Sequence, residues 1–100
     1  MKKLLLLLFL GFTLLGFSQT LITDPNFEQA LIDLGYDTAP INGSVPTANI
    51  SSVTSLDVNT KEISSLKGIE DFTALTALYC FENQLTSLDV SNNTALTILR

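Results

Sequence analysis

The 100-residue chain has no histidine, no tryptophan, a single cysteine and five basic residues against ten acidic ones. Each shortage excludes something. Without histidine, the commonest general base and the commonest metal ligand are both missing. One thiol, Cys80, cannot form an intrachain disulfide, so the fold must rest on packing. An acidic surface repels phosphate backbones, which makes nucleic acid and anionic membranes poor partners. No pair of carboxylates falls in a recognisable catalytic motif, so no enzyme activity, cofactor or metal is expected of these residues.

Leucine is what the chain has in quantity. It opens "MKKLLLLLFLGFTLLGFSQT", with Lys2 and Lys3 ahead of an apolar run from Leu4 to Phe17. Gly16 and Ser18 place small residues three and one before a cut between Ser18 and Gln19, the pattern of a secretory signal peptide over residues 1–18. The run of 14 residues is short of the ~20 that a spanning helix needs, which disfavours a membrane anchor. Residues 19–100 then carry three basic and ten acidic side chains, a net charge of 3 − 10 = −7. The product is expected outside a bacterial cell, secreted or at its surface, with no stable membrane span after cleavage.

Residues 24–35, "DPNFEQALIDLG", predict one short helix. Asp24 can cap it and Pro25 suits its first position, where the missing N–H costs nothing. Phe27, Ala30, Leu31 and Leu34 form one apolar stripe, and Gly35 is placed to end the helix in a left-handed turn. Residues 36–50 hold Pro40, Pro46 and Asn42-Gly43, a loop composition, with Ile41, Val45 and Ile50 as spaced apolar pegs. Residues 19–50 are therefore expected to form a helical cap and loop.

From Val53 the chain becomes periodic. Val53, Leu56, Val58 and Ile63 recur 22 residues on as Leu75, Leu78, Cys80 and Leu85, and Leu66 recurs as Leu88. Leu75 and Leu78 recur again, 21 residues on, as Leu96 and Leu99. A period of 21 to 22 residues with this internal spacing is that of leucine-rich repeats, each giving one short strand. Leu56/Val58 and Leu78/Cys80 should point inward from those strands. Asn83 stands where the chain leaves its strand, and its amide can bond backbone groups of the neighbouring turn. Leu85 and Leu88 then fold back beneath. The shorter self-match "TSLDV", at residues 54–58 and 86–90, breaks this register, so only its first copy is expected to be a strand.

These motifs carry a resemblance. "LTALYCFENQLTSLDVSNNTALTIL" resembles the repeats of secreted bacterial leucine-rich-repeat proteins, including cargo of type IX secretion. "VTSLDVNTKEISSLKGIEDFTAL" resembles the internalin-like form of the repeat, and "DPNFEQALIDLGYD" resembles the helical cap that precedes such repeats. The resemblance spans nearly all of residues 19–100, with Lys61 standing in the first unit where the pattern has asparagine. It implies an α/β leucine-rich-repeat solenoid, with short parallel strands on the concave face and a helical N-terminal cap. Repeats over residues 51–100 stop partway through a third unit, as expected of the front of a longer protein, and an array so short should be marginally stable alone.

The register brings Ser55/Ala77/Ile98, Asp57/Tyr79/Arg100 and Asn59/Phe81 into rows on the outward sheet face. Asp57, Asn59, Tyr79, Phe81 and Arg100 are the candidate ligand-binding residues, because exposed aromatics among polar groups are frequent binding anchors. The competing reading is that the two rings merely shield the sheet. Cys80, at an inward position, reads as a small core hydrophobe rather than a nucleophile. The expected function is non-catalytic recognition of a protein or glycan. The alternatives are an accessory module of a larger secreted enzyme, or a spacer.

Overall fold

The computed structural model describes residues 18–100; residues 1–17, which hold nearly all of the expected signal peptide, lie outside them. None of the helices among the described residues is long and apolar enough to cross a membrane. In chain order the elements are β1 (Gln19–Leu21), α1 (Pro25–Asp33), β2 (Ser44–Pro46), α2 (Thr47–Ile50), β3 (Ser55–Asp57), a 3-10 turn (Ile69–Asp71), β4 (Ala77–Tyr79) and β5 (Ile98–Leu99).

Helix α1 forms where its punctuation places it. The Asp24 carboxylate accepts from the Asn26 N–H at 2.8 Å and the Phe27 N–H at 3.4 Å, capping two otherwise unpaired donors. Past the last turn, Gly35 adopts φ +87°, a left-handed conformation that glycine takes without steric cost. Phe27, Ala30 and Leu31 are buried. Leu34, expected in the same stripe, is instead 46% exposed, because it forms the C-cap where the chain turns away.

Three elements, β1, β2 and the short helix α2, arise in segments where the sequence marks no element. Strands β1 and β2 pair antiparallel, with Thr20 opposite Val45. Val45 and Ile50 are fully buried, whereas Ile41 is 44% exposed. Thr20 is itself buried, and its hydroxyl donates to Asp71 Oδ2 at 2.7 Å, joining this strand pair to the first repeat.

Strands β3, β4 and β5 make one parallel sheet in that order. The register pairs Ser55 with Ala77, Leu56 with Leu78 and Asp57 with Tyr79, then Ala77 with Ile98 and Leu78 with Leu99. This is the expected register. Leu56, Val58, Leu75, Leu78 and Cys80 are buried in one core with Ile63, Leu66, Ile69 and Phe72. Leu85, Leu88 and Leu96 pack against it while half-buried. The Phe27 and Phe72 rings stack with centroids 6.3 Å apart, so the helix and the first repeat share that core. Fully burying such a ring contributes about 1.5–3 kcal/mol.

Candidate functional site

The parallel sheet gives the first two repeats three strand residues each and the third repeat two, with alternating faces. Leu56, Val58, Leu78 and Cys80 go inward, and the residues between them face out. On that outward face Asp57 is exposed, Asn59 and Tyr79 are half-buried, and Phe81 and Arg100 are exposed. Ala77, between Ser55 and Ile98 on the middle strand, is the buried exception.

All five candidate residues lie in one patch. Asp57 pairs with Tyr79 across β3 and β4. Arg100 brackets the far side of β4: its N–H donates to Leu78 O at 3.0 Å and its carbonyl accepts from the Cys80 N–H at 2.7 Å. Asp57 and Arg100 are thus two strands apart, about 9.5 Å at the backbone, with Tyr79 between them. Beyond the strand ends, the Thr60 N–H donates to Phe81 O at 3.0 Å, which carries Asn59 alongside Phe81. The Asn59 N–H donates to Asp57 Oδ1 at 3.1 Å, and its side-chain amide reaches the same oxygen, so this carboxylate is fixed in place. Two apolar side chains remain open on this face, Phe81 at 46% and Ile98 at 39% exposure.

Thr60 and Glu82, which the sequence did not single out, extend the patch. They stand 22 residues apart and both adopt left-handed backbone, φ 55° and 57°. The Thr60 hydroxyl donates to Glu82 Oε2 at 3.1 Å. Their equivalence follows from the repeat step, which was available in the sequence.

Beneath the patch, Asn83 performs its expected role. Its Oδ1 accepts from the Lys61 N–H at 2.9 Å and the Ile63 N–H at 3.0 Å, both in the preceding unit. Its Nδ2 donates to Val58 O at 2.8 Å and Cys80 O at 3.0 Å. A second seam runs on the other side of the repeat. Asn93 is buried, and its Nδ2 donates to Ile69 O at 2.9 Å and Phe72 O at 3.0 Å. Asn93 stands 22 residues after Asp71, so the same period would have found it. Cys80 is buried, and removal from water pushes its thiol above the ordinary value, the state of a core group rather than a nucleophile.

Parallel strands at a 21- to 22-residue step, joined by asparagine side chains, define a leucine-rich-repeat-type fold. No family model matches the chain. Over 51 residues it is 41% identical to Internalin J of Listeria monocytogenes serotype 4b, a match covering 51% of this chain and 6% of that protein. Among solved structures, the functional domain of InlJ from Listeria monocytogenes, which includes a cysteine ladder, superposes with a TM-score of 0.69 at 30% identity, covering 83% of this chain and 19% of that one. The internalin inlF of the same species gives a TM-score of 0.69 at 26% identity, over 78% of this chain and 23% of that one. The CBM51-2 and INT domains of Clostridium perfringens ZmpB share the fold at 19% identity, with a TM-score of 0.67 over 82% of this chain and 17% of that one. The chain is therefore internalin-like in its leucine-rich repeats, and it spans only a small part of the relatives it matches.

Proposed function

We propose that this chain is the front of an exported leucine-rich-repeat solenoid that recognises a protein or glycan, without catalysis, through the open face of its parallel sheet. The observation that carries this reading is the row of Asp57, Tyr79 and Arg100 with Phe81 beside it. It combines an oriented carboxylate, a guanidinium and an accessible ring on a rigid sheet. Shape and side chains on such a scaffold can set specificity with little ordering on binding. The likeness to internalins supports a surface-associated recognition role, and the basic and apolar opening of the chain supports export. Residues 19–50 serve as the cap of the first repeat, and the resemblance of the repeat sequence to secreted cargo favours a type IX route.

The test is a binding screen of the full-length protein against glycan and cell-surface protein arrays, repeated with Tyr79→Ala/Phe81→Ala and with Lys67→Ala on the opposite side. Loss of a hit, about tenfold or more, in the double variant alone supports the open face. Equal binding by all three proteins sinks it.

A further inference from the structure

Two acidic side chains in the N-terminal part are buried with no cation paired to them among the described residues. Glu28, on the helix, is 0% exposed, and Asp37, four residues past the helix end, is 7% exposed. Glu28 Oε1 accepts from the Gly43 N–H at 2.7 Å, and Oε2 accepts from the Asn42 N–H at 3.0 Å. These bonds hold residues 42–43 against α1. Asp37 Oδ1 accepts from the Thr38 N–H at 2.8 Å. Its other oxygen, Oδ2, is buried and receives no N–H or O–H from any described residue. The titratable group that faces it is the Glu28 carboxyl.

Charge balance sharpens the point. Residues 38–56, which include the covering loop, β2 and α2, carry no ionisable side chain. On the helix itself the remaining acid is Asp33, which accepts from Gln29 on the exposed side at 2.9 Å; Asp24 caps the helix start. Among the described residues the one ion pair is Lys67–Glu70, elsewhere in the chain. No third acidic or thiol group gathers with Glu28 and Asp37 among the described residues. Two ionised carboxylates buried together with no counter-charge repel strongly. A proton on one of them turns that repulsion into an O–H···O⁻ bond, among the stronger hydrogen bonds, and gives the orphan oxygen a partner.

We propose that Glu28 and Asp37 share one proton in the folded chain, and that this proton latches the segment 36–43 onto helix α1. Asp37 Oδ2 carries the proton and donates it to the Glu28 carboxylate, which keeps its two backbone donors. When the proton leaves to solvent, two buried negative charges face each other and the segment is released. The latch therefore closes at low pH and loosens as pH rises. Consistent with this, burial pushes the Asp37 carboxyl above its ordinary value; the Thr38 N–H opposes that shift, and the Glu28 carboxyl adds to it.

The test needs no mutation to begin. Carbon-13 carboxyl shifts of the full-length protein would be followed by NMR from about pH 3 to about pH 8, beside amide exchange at Asn42 and Gly43 corrected for its intrinsic pH dependence. One carboxyl of the pair should stay protonated after the exposed acids have ionised. Protection at both amides should then fall about tenfold or more as that proton leaves. In Asp37→Asn the side-chain amide replaces the O–H donor, and protection should become independent of pH. Ordinary titration of both carboxyls with unchanged protection overturns the proposal. So does a pair ionised throughout whose melting midpoint rises with calcium and falls with a chelator, since a cation would then hold the two acids together.

Discussion

Asn83 and Lys61 stand 22 residues apart in sequence, yet the Lys61 N–H meets Asn83 Oδ1 at 2.9 Å. Lys61 occupies the position one step earlier where the repeat has asparagine. The first unit therefore accepts this polar tie through its backbone, without supplying an asparagine of its own. Asn83→Ala removes an acceptor for Lys61 and Ile63 and a donor to Val58 and Cys80. Leaving partly buried backbone groups unpaired costs about 1–3 kcal/mol each. A loss of about 3 kcal/mol in urea unfolding is expected, with Asn83→Asp in between, because it keeps only the acceptor half.

Asp24 fixes two elements with one carboxylate. Oδ1 caps α1, and Oδ2 accepts from the Ser64 N–H at 2.7 Å and the Ser65 N–H at 3.0 Å. Burial raises its pKa, but the N–H groups of Ser64, Ser65, Asn26 and Phe27 outweigh that, and the net shift is downward. A carboxylate with a depressed folded value stabilises the fold above its unfolded pKa, and that contribution is lost as pH falls through the folded one. Asp24→Asn keeps a good cap but a single acceptor oxygen. It should cost about 1–3 kcal/mol at neutral pH, and the difference from wild type should shrink in acid. Denaturation midpoints from about pH 2 to about pH 7 would show the two curves converging; parallel curves would refute the role of the charge.

Gly68 lies against β1 at φ +109°, and a Cβ there would clash with Ile22 Cδ1 and come within 2.8 Å of Leu21 O. The second contact is backbone and cannot rotate away. Gly68→Ala should destabilise the fold by about 2–4 kcal/mol, combining left-handed strain with overpacking. Faster amide exchange at Ile22, whose N–H donates to Gly43 O at 2.9 Å, would place the damage at β1.

Cys80 offers a probe of the repeat core. In the native chain a thiol reagent should label it about a hundredfold more slowly than in denaturant, because burial both shields the sulfur and disfavours the thiolate. Phe81→Ala, by contrast, should leave thermal stability within about 1 kcal/mol, since the ring is half exposed. A large loss of stability in that variant would make the ring a structural shield rather than a contact residue.

Much of this was legible from spacing. The step of 22 fixed the strand register, the inward leucines and the place of Asn83, because a stacked repeat repeats its contacts as well as its residues. The outward row followed from the same register. The antiparallel pair β1–β2 was not legible: "QTL" and "SVP" are three residues each, too short for alternation to show, and they are strands only because they pair. Glu28 falls outside the stripe of Phe27, Ala30, Leu31 and Leu34, on a side of α1 that the spacing leaves unassigned, yet it is buried. Its burial comes from the loop folding over that side, a tertiary fact with no local signature. Asn93 was not singled out, although the repeat step of 22 from Asp71 marks it.

Every partner of the Asn83 side chain, from Val58 to Phe81, comes earlier in the chain than Asn83 itself. The Asn93 donor likewise reaches back to Ile69 and Phe72. The seam is therefore built like masonry, each course bedded on the one already laid. A polypeptide emerging amino end first presents the Asn83 amide to groups that have all been synthesised, so this joint can set in the order of translation and waits on nothing downstream.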